Sequence, residues 1–166
     1  MGTITDTIDV DVDRTTAYNQ WTQFEQFPLF MEGVEEVRQL SDSMLHWVTK
    51  VGPVVREYDA VITEQTPDEV IAWRSTSGAD NAGRITFKDA ADNHTHITAE
   101  ITLDPEGFVE KVGDVTGVID ARVAGDLRRF KEFIESRDGQ ETGAWRGTIG
   151  SDSGVTADDI SGPGLE

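Results

Sequence analysis

Three histidines, no cysteine and a few charged residues set among strand-like apolar positions are the groups in this 166-residue chain that could do chemistry. His94 and His96 stand two apart in "NHTHITAEITL", so an extended strand would put them on one face, as a pair of metal ligands requires. Ile97, Ala99, Ile101 and Leu103 define the inward face of that strand, however, and the alternation turns both histidines toward solvent. The sequence therefore calls for no metal. In "VVREYDAVIT", Val54, Tyr58, Ala60 and Ile62 form the apolar face, and alternation places Arg56 on it too. A buried guanidinium is costly unless paired, so Arg56 is expected to meet a polar ligand group or an internal carboxylate. The alternative is that Arg56 lies near the strand end and reaches water along its aliphatic stem. Glu57 and Asp59 resemble an acid/base pair only by proximity, and their outward register makes them solvated surface. Glycine-rich phosphate loops, nucleophile elbows and Cys/His pairs are absent, and no cofactor is implied.

These residues need elements to hold them. "TITDTIDVDVD" (3–13) alternates, with Ile4, Ile8, Val10 and Val12 on one face, which predicts a half-exposed strand. Asp13 then serves as the N-cap of a short helix carrying Ala17, Trp21 and Phe24 at i, i+4 and i+7. Pro28 prevents one long helix, so "EQFPLFMEG" is a second short helix or turn that Gly33 closes. Six strands follow at 34–40, 44–51, 54–66, 70–76, 83–89 and 95–103, separated by turn signals at the spacing of an antiparallel sheet. The period then changes. Phe108, Val112, Val115, Ile119, Val123, Leu127, Phe130 and Ile134 recur at steps of three and four, an amphipathic helix of about eight turns. Beyond Arg137 the apolar period stops. Residues 1–137 are thus read as one folded domain and 138–166 as an acidic, Gly/Ser-rich tail expected to be disordered, with Trp145 the exception.

Composition narrows the function classes. A net charge of −18 repels phosphate backbones, which disfavours nucleic-acid partners. No apolar run approaches the ~20 residues of a membrane span, and "MGTITDTIDV" lacks the basic and apolar regions of a secretory signal. With no cysteine there is no disulfide or thiolate chemistry, and a cytoplasmic protein is expected. A curved antiparallel sheet must bury its apolar face, and the last helix is the one large partner available. One helix cannot fill the hollow of seven strands, so a cavity is expected between them, with the aromatic segment 16–37 at its mouth.

The element order resembles the START-like, helix-grip superfamily that includes the birch-pollen-allergen fold. Within it, the chain is most similar to the polyketide cyclase/dehydrase (SRPBCC) family, which includes coenzyme Q-binding proteins. The resemblance rests on "VDRTTAYNQWTQFEQFPLFMEGVEEV", "REYDAVITEQTPDEVIAWRS" and "GFVEKVGDVTGVIDARVAGDLRRFKEFIE", and spans residues 3 to about 136. The Asp13-Arg14 junction replaces the Pro-containing turn common in relatives, which leaves the fold expectation intact. The resemblance implies an α+β fold, a curved seven-stranded antiparallel sheet wrapped around a long C-terminal helix, and binding of a lipid, quinone or polyketide. It carries over no catalytic residue.

The leading expectation is a module that holds a hydrophobic small molecule, as carrier or chaperone. The residues expected to line the site are Trp21, Phe27, Phe30, Trp47, Arg56, Tyr58, Ile62, Trp73, Phe87, Ile101, Val112, Ile119 and Val123. Trp21, Phe27 and Phe30 would gate it, and Arg56 would be its main polar contact. Two other classes stay open: a cyclase or dehydratase in which Arg56 and Tyr58 polarise a carbonyl, and a protein-partner module that docks through the aromatic segment. The oligomeric state is not legible in the sequence.

Overall fold

The chain leaves its first strand at one edge of a sheet and re-enters at the opposite edge, and most of the architecture follows from that. In the computed structural model, which describes residues 2–51, 53–78, 80–103, 115–137 and 140–150, the seven strands are β1 (Gly2–Val10), β2 (Val34–Gln39), β3 (Met44–Val51), β4 (Val54–Thr66), β5 (Val70–Gly78), β6 (Asn81–Ala90) and β7 (His94–Leu103). They form one antiparallel sheet in the order β1-β7-β6-β5-β4-β3-β2. Each strand lies within a few residues of the span that alternation predicts. Register shifts between Asp59 and Ala60 and between Ile62 and Glu64 mark bulges in the β4/β5 ladder. Such bulges bend a strand and help the sheet curl.

β1 and β2 are the two edges, so residues 11–33 must cross the hollow of the curled sheet. That crossing is made by the helix α1 (Arg14–Trp21) and a 3-10 helix (Phe24–Leu29) containing Pro28. A segment lying in the hollow has to be apolar underneath, which is why the aromatic residues concentrate there. Trp21, Phe24, Phe27 and Phe30 are all buried and touch one another edge to face or tilted. Such ring pairs contribute about 0.5–1.5 kcal/mol each beyond the area they bury.

The long helix α2 (Val115–Ser136) packs against β1 and closes the hollow from above. Its buried side chains, Ile119, Leu127, Phe130 and Ile134, follow the predicted period. Phe108 and Val112, which the periodicity also assigns to this helix, lie outside the described residues. Among the described residues no helix is long and apolar enough to cross a membrane.

The boundary expected at residue 138 needs correction. Residues 140–150 are not a free tail; they lie across the outer side of α1. Gln20 and Thr142 exchange two hydrogen bonds, the Gln20 amide donating to the Thr142 hydroxyl (3.0 Å) and the Thr142 N–H to Gln20 Oε1 (2.8 Å). Arg146 donates to Asn19 Oδ1 (2.8 Å), pairs with Asp68 (2.7 Å) and sits over the Tyr18 ring. Ile149 forms an isolated antiparallel bridge with Gln65. This strap explains a feature that amphipathicity cannot: Ala17 to Trp21 are buried without a break. A helix covered on one side buries a stripe; covered on both, it buries every residue. No apolar period announced the strap, because its contacts are polar and local to one face.

Two predictions follow from these seams. Truncation after Arg137 should destabilise by about 2 kcal/mol, the net of several hydrogen bonds less the entropy of ordering the strap. Urea denaturation checks this, and an unchanged midpoint would show that the strap is ornamental. The second concerns Asp6, which lies on the inward register of β1, where burial first and then the Asp120 carboxylate of α2 push its pKa up to about 6. A carboxyl raised in the folded state costs stability once ionised, so stability should grow as pH falls from about 6 toward the ordinary 3.8. Asp6→Asn should therefore raise the melting temperature at pH 7, with the gain disappearing below about pH 4.

Candidate functional site: the cavity between sheet and helix

The packing of α2 is uneven along its length. Phe130 and Ile134 are fully buried, whereas Val123, about two to three turns earlier, is only partly buried. Beneath that N-terminal half the helix and sheet stand apart and enclose a cavity of about 150 Å³. A space of that order accepts a ligand body of about one aromatic ring.

Most of its wall is what alternation and periodicity expect. Trp21 and Phe27 come from the crossing segment, Trp47 from β3, Tyr58 from β4, Trp73 from β5, Ile101 from β7, and Ile119 and Val123 from α2. Trp47 and Tyr58 are direct cross-strand partners with rings stacked at 10°, and Trp73 stacks on Trp47 at 23°. Gly83 makes room for this arrangement, since a Cβ there would sit 2.2 Å from the Trp73 ring. Any side chain at 83 must therefore displace the indole.

Several expected residues are elsewhere. Phe30, Ile62 and Phe87 are buried at 2% exposure and do not line this cavity; they are packed core. Phe30 is held among Trp21, Phe27, Phe130 and Phe133, too tightly to act as a gate. Arg56 is a clear correction: it is exposed, and its guanidinium donates to the Val55 carbonyl. Alternation fails there because Val55, Arg56 and Glu57 are all exposed where β4 enters the sheet, near its end, so a strand face has no interior to point into. Val112 lies outside the described residues.

The polar groups that do reach the cavity escaped the sequence reading. Thr49 and Asn81 line it, and Asn81 Oδ1 accepts the Trp73 indole N–H at 3.2 Å. Burial pushes the Tyr58 phenol far upward, partly offset by Asn81, so the hydroxyl stays protonated and acts as a donor. The indole N–H groups of Trp21 and Trp47 are buried with no hydrogen-bond partner among the described residues. An unsatisfied buried donor costs about 1–3 kcal/mol, so an acceptor oxygen in the cavity would be welcome.

At the mouth, the turn that carries Met31, Gly33 and Val34 faces Arg122 and Asp126 of α2. Asp126 accepts the Glu32 backbone N–H (3.0 Å) and a hydrogen bond from Arg129, whose Nε donates to the Phe30 carbonyl. Burial raises the Asp126 carboxyl, and Arg129 and the Glu32 amide counter it. Arg122 pairs with the Glu32 carboxylate at 3.1 Å. These residues sit on the helix flank that periodicity labels polar, which is why the sequence reading passed over them.

The histidines do not line the cavity, and alternation turns His94 and His96 outward. His96 bonds Asp9 (2.6 Å), His94 pairs with Asp11 (3.3 Å), and His46 sits between Asp59 (2.7 Å) and Glu57 (3.0 Å). Asp59 first, and then Glu57, raise the His46 pKa. Among the described residues no group of three or more His, Asp or Glu could hold a metal ion.

This curled sheet, gripped helix and enclosed cavity can be set beside known proteins. The sequence model of a family described as polyketide cyclase/dehydrase and lipid transport matches residues 10–132. The chain belongs to that family. A protein of Streptomyces lincolnensis, described as an uncharacterised 17.2 kDa protein, is 50% identical over 150 residues, 90% of this chain and 99% of that protein. Among solved structures, the Zhui aromatase/cyclase of Streptomyces sp. R1128 superposes with a TM-score of 0.67 at 12% identity, covering 82% of this chain and 95% of that one. A START superfamily protein of Mycobacterium smegmatis gives 0.63 at 11%, covering 81% and 95%. At such identities these structures establish the shared fold.

Because Phe30 is core, Phe30→Ala should destabilise by about 3–5 kcal/mol. Chemical denaturation measures it, and a loss below about 1 kcal/mol would return Phe30 to the role of a loosely packed gate.

Proposed function

We propose that this family member holds a small, largely apolar molecule in the cavity beneath α2, as a carrier or sequestering protein. The observation that carries the reading is the cavity itself: about 150 Å³, walled by Trp21, Phe27, Trp47, Tyr58 and Trp73, with the indole N–H groups of Trp21 and Trp47 unpartnered among the described residues. Ligand pockets usually take this form, apolar with a few fixed polar groups. The volume holds a body of one or two rings, such as a naphthyl group; a third ring, or the rest of a larger lipid, quinone or polyketide, would extend out of the cavity past the Met31–Val34 turn. Family membership supports a hydrophobic ligand without naming it.

A cyclase reading has one observation in its favour. Asp126 lines the cavity with its carboxyl raised by burial, as a general base next to a ligand carbonyl would be, and Tyr58 supplies a neutral donor. Its engagement with Arg129 and the Glu32 amide weighs against it as a free base. Mass spectrometry of the ligand that co-purifies, before and after incubation with the protein, separates the two. A ligand returned unchanged fits a carrier, and loss of water fits a cyclase or dehydratase.

N-phenyl-1-naphthylamine, a neutral apolar probe, should bind with about micromolar affinity, roughly −8 kcal/mol. Val123→Trp, which fills the cavity from α2, should weaken it at least about tenfold while the protein stays folded, since small-to-large changes cost about 1–3 kcal/mol. Undiminished fluorescence enhancement in that variant would place the probe on the surface and remove the support for a cavity ligand.

A further inference from the structure

The mouth of the cavity carries a charge that an apolar carrier does not need. Among the described lining residues Arg122 is the one basic side chain, in a protein whose net charge is −18. Its side chain is only 29% exposed, so most of the guanidinium and stem lie against the cavity rim and α2. Its partner, the Glu32 carboxylate at 3.1 Å, is 63% exposed and belongs to the turn that borders the mouth. The two ends of this ion pair are therefore unequal: the cation is built into the site, and the anion reaches it from solvent.

Asp126 also attracts Arg122 electrostatically, but its hydrogen bonds are spent elsewhere. The Asp126 carboxylate is engaged by Arg129 and by the Glu32 backbone N–H, and those bonds hold the turn on α2. The Glu32 carboxylate also lies 3.7 Å from Arg129, a longer contact, and its side chain can swing away while its backbone stays clamped. Moving it costs little, because ion pairs with a solvent-exposed member are weak. A ligand anion that replaces it is held closer to apolar walls, where a charge-assisted bond to guanidinium is stronger.

We propose that the ligand, in the cavity reading on which this rests, has an anionic oxygen head on an apolar ring body, and that Arg122 is its specificity determinant. The head is a carboxylate, an acidic enolate or a phenolate. Glu32 occupies its place on Arg122 until the ligand arrives, and the ring body lies under α2 against Trp47 and Trp73.

Two probes with one ring skeleton test this. 8-Anilinonaphthalene-1-sulfonate is N-phenyl-1-naphthylamine with an added sulfonate, so the ratio of their affinities isolates the anionic head. Measured by fluorescence titration at fixed ionic strength, that ratio should fall about tenfold in Arg122→Met and rise about threefold in Glu32→Gln, the sizes expected of one charge-assisted bond gained or one weak competitor lost. Arg56→Met, which removes an exposed arginine away from the cavity, should leave the ratio unchanged. A ratio that stays at the wild-type value in Arg122→Met, or that moves as far in Arg56→Met, overturns the proposal. If Arg122→Met fails to fold, the Glu32→Gln ratio decides alone, and no rise sinks it. Should the neutral probe itself not bind, the cavity reading fails; a neutral probe that binds with an unresponsive ratio defeats this inference only.

Discussion

The contact among Trp21, Phe30 and Phe130 ties three parts of the molecule that sequence distance keeps apart. Trp21 ends α1, Phe30 follows directly on the 3-10 helix, and Phe130 lies in the C-terminal half of α2; their ring centroids stand 5.2–5.9 Å apart. A curled sheet with open ends has an apolar hollow that neither the crossing segment nor the helix can cover alone. Where the two meet, aromatic rings fill the corner, because large rigid side chains close an irregular gap at low entropic cost. Without that corner the crossing segment has no anchor and α2 has no fixed angle to the sheet.

The cavity is a consequence of the same corner. Leu127, Phe130 and Ile134 seat the C-terminal half of α2 firmly, and Trp21, Phe27 and Phe30 wedge beneath it. A straight helix seated at one end over a curved surface must stand clear of it toward the other. Ile119 and Val123 are thus left as roof, facing a wall of stacked aromatic rings across the cavity. The void costs stability, since its lining atoms lack partners on one side. The polar rim of Arg122, Glu32, Asp126 and Arg129 lies where the 31–34 turn meets α2.

The strap at 140–150 is the counterpart on the outside. It gives Asn19, Gln20 and Thr22 of the α1 segment hydrogen-bond partners that the sheet side cannot supply. Burying those side chains unpaired would cost more than the strap's ordering does. Arg146, between Asp68 and Asn19, joins the strap to the β4–β5 turn as well, so one short segment fixes the crossing helix to the rim of the sheet. Arg146 holds the Asp68 carboxyl below its usual range, so this link persists at neutral pH and is lost only as pH falls through that lowered value.

The strands, the two short helical pieces and the long helix were legible in the chain because each is governed by a local period, two or 3.6, and by local breakers such as Pro28 and Gly33. The cavity wall was legible to the same extent: Trp47, Tyr58, Trp73, Ile119 and Val123 point inward because alternation or helical spacing says so. Arg56 shows where that logic ends, since a period gives the direction of a side chain but not how far the interior extends along a strand. Phe30 shows the complementary limit, since no local pattern distinguishes a packed core ring from one that borders a void. Arg122, Asp126 and the strap were decided by tertiary structure alone. Their roles depend on which distant surface a polar flank meets, and that is set only when the sheet has curled and the helix has come to rest.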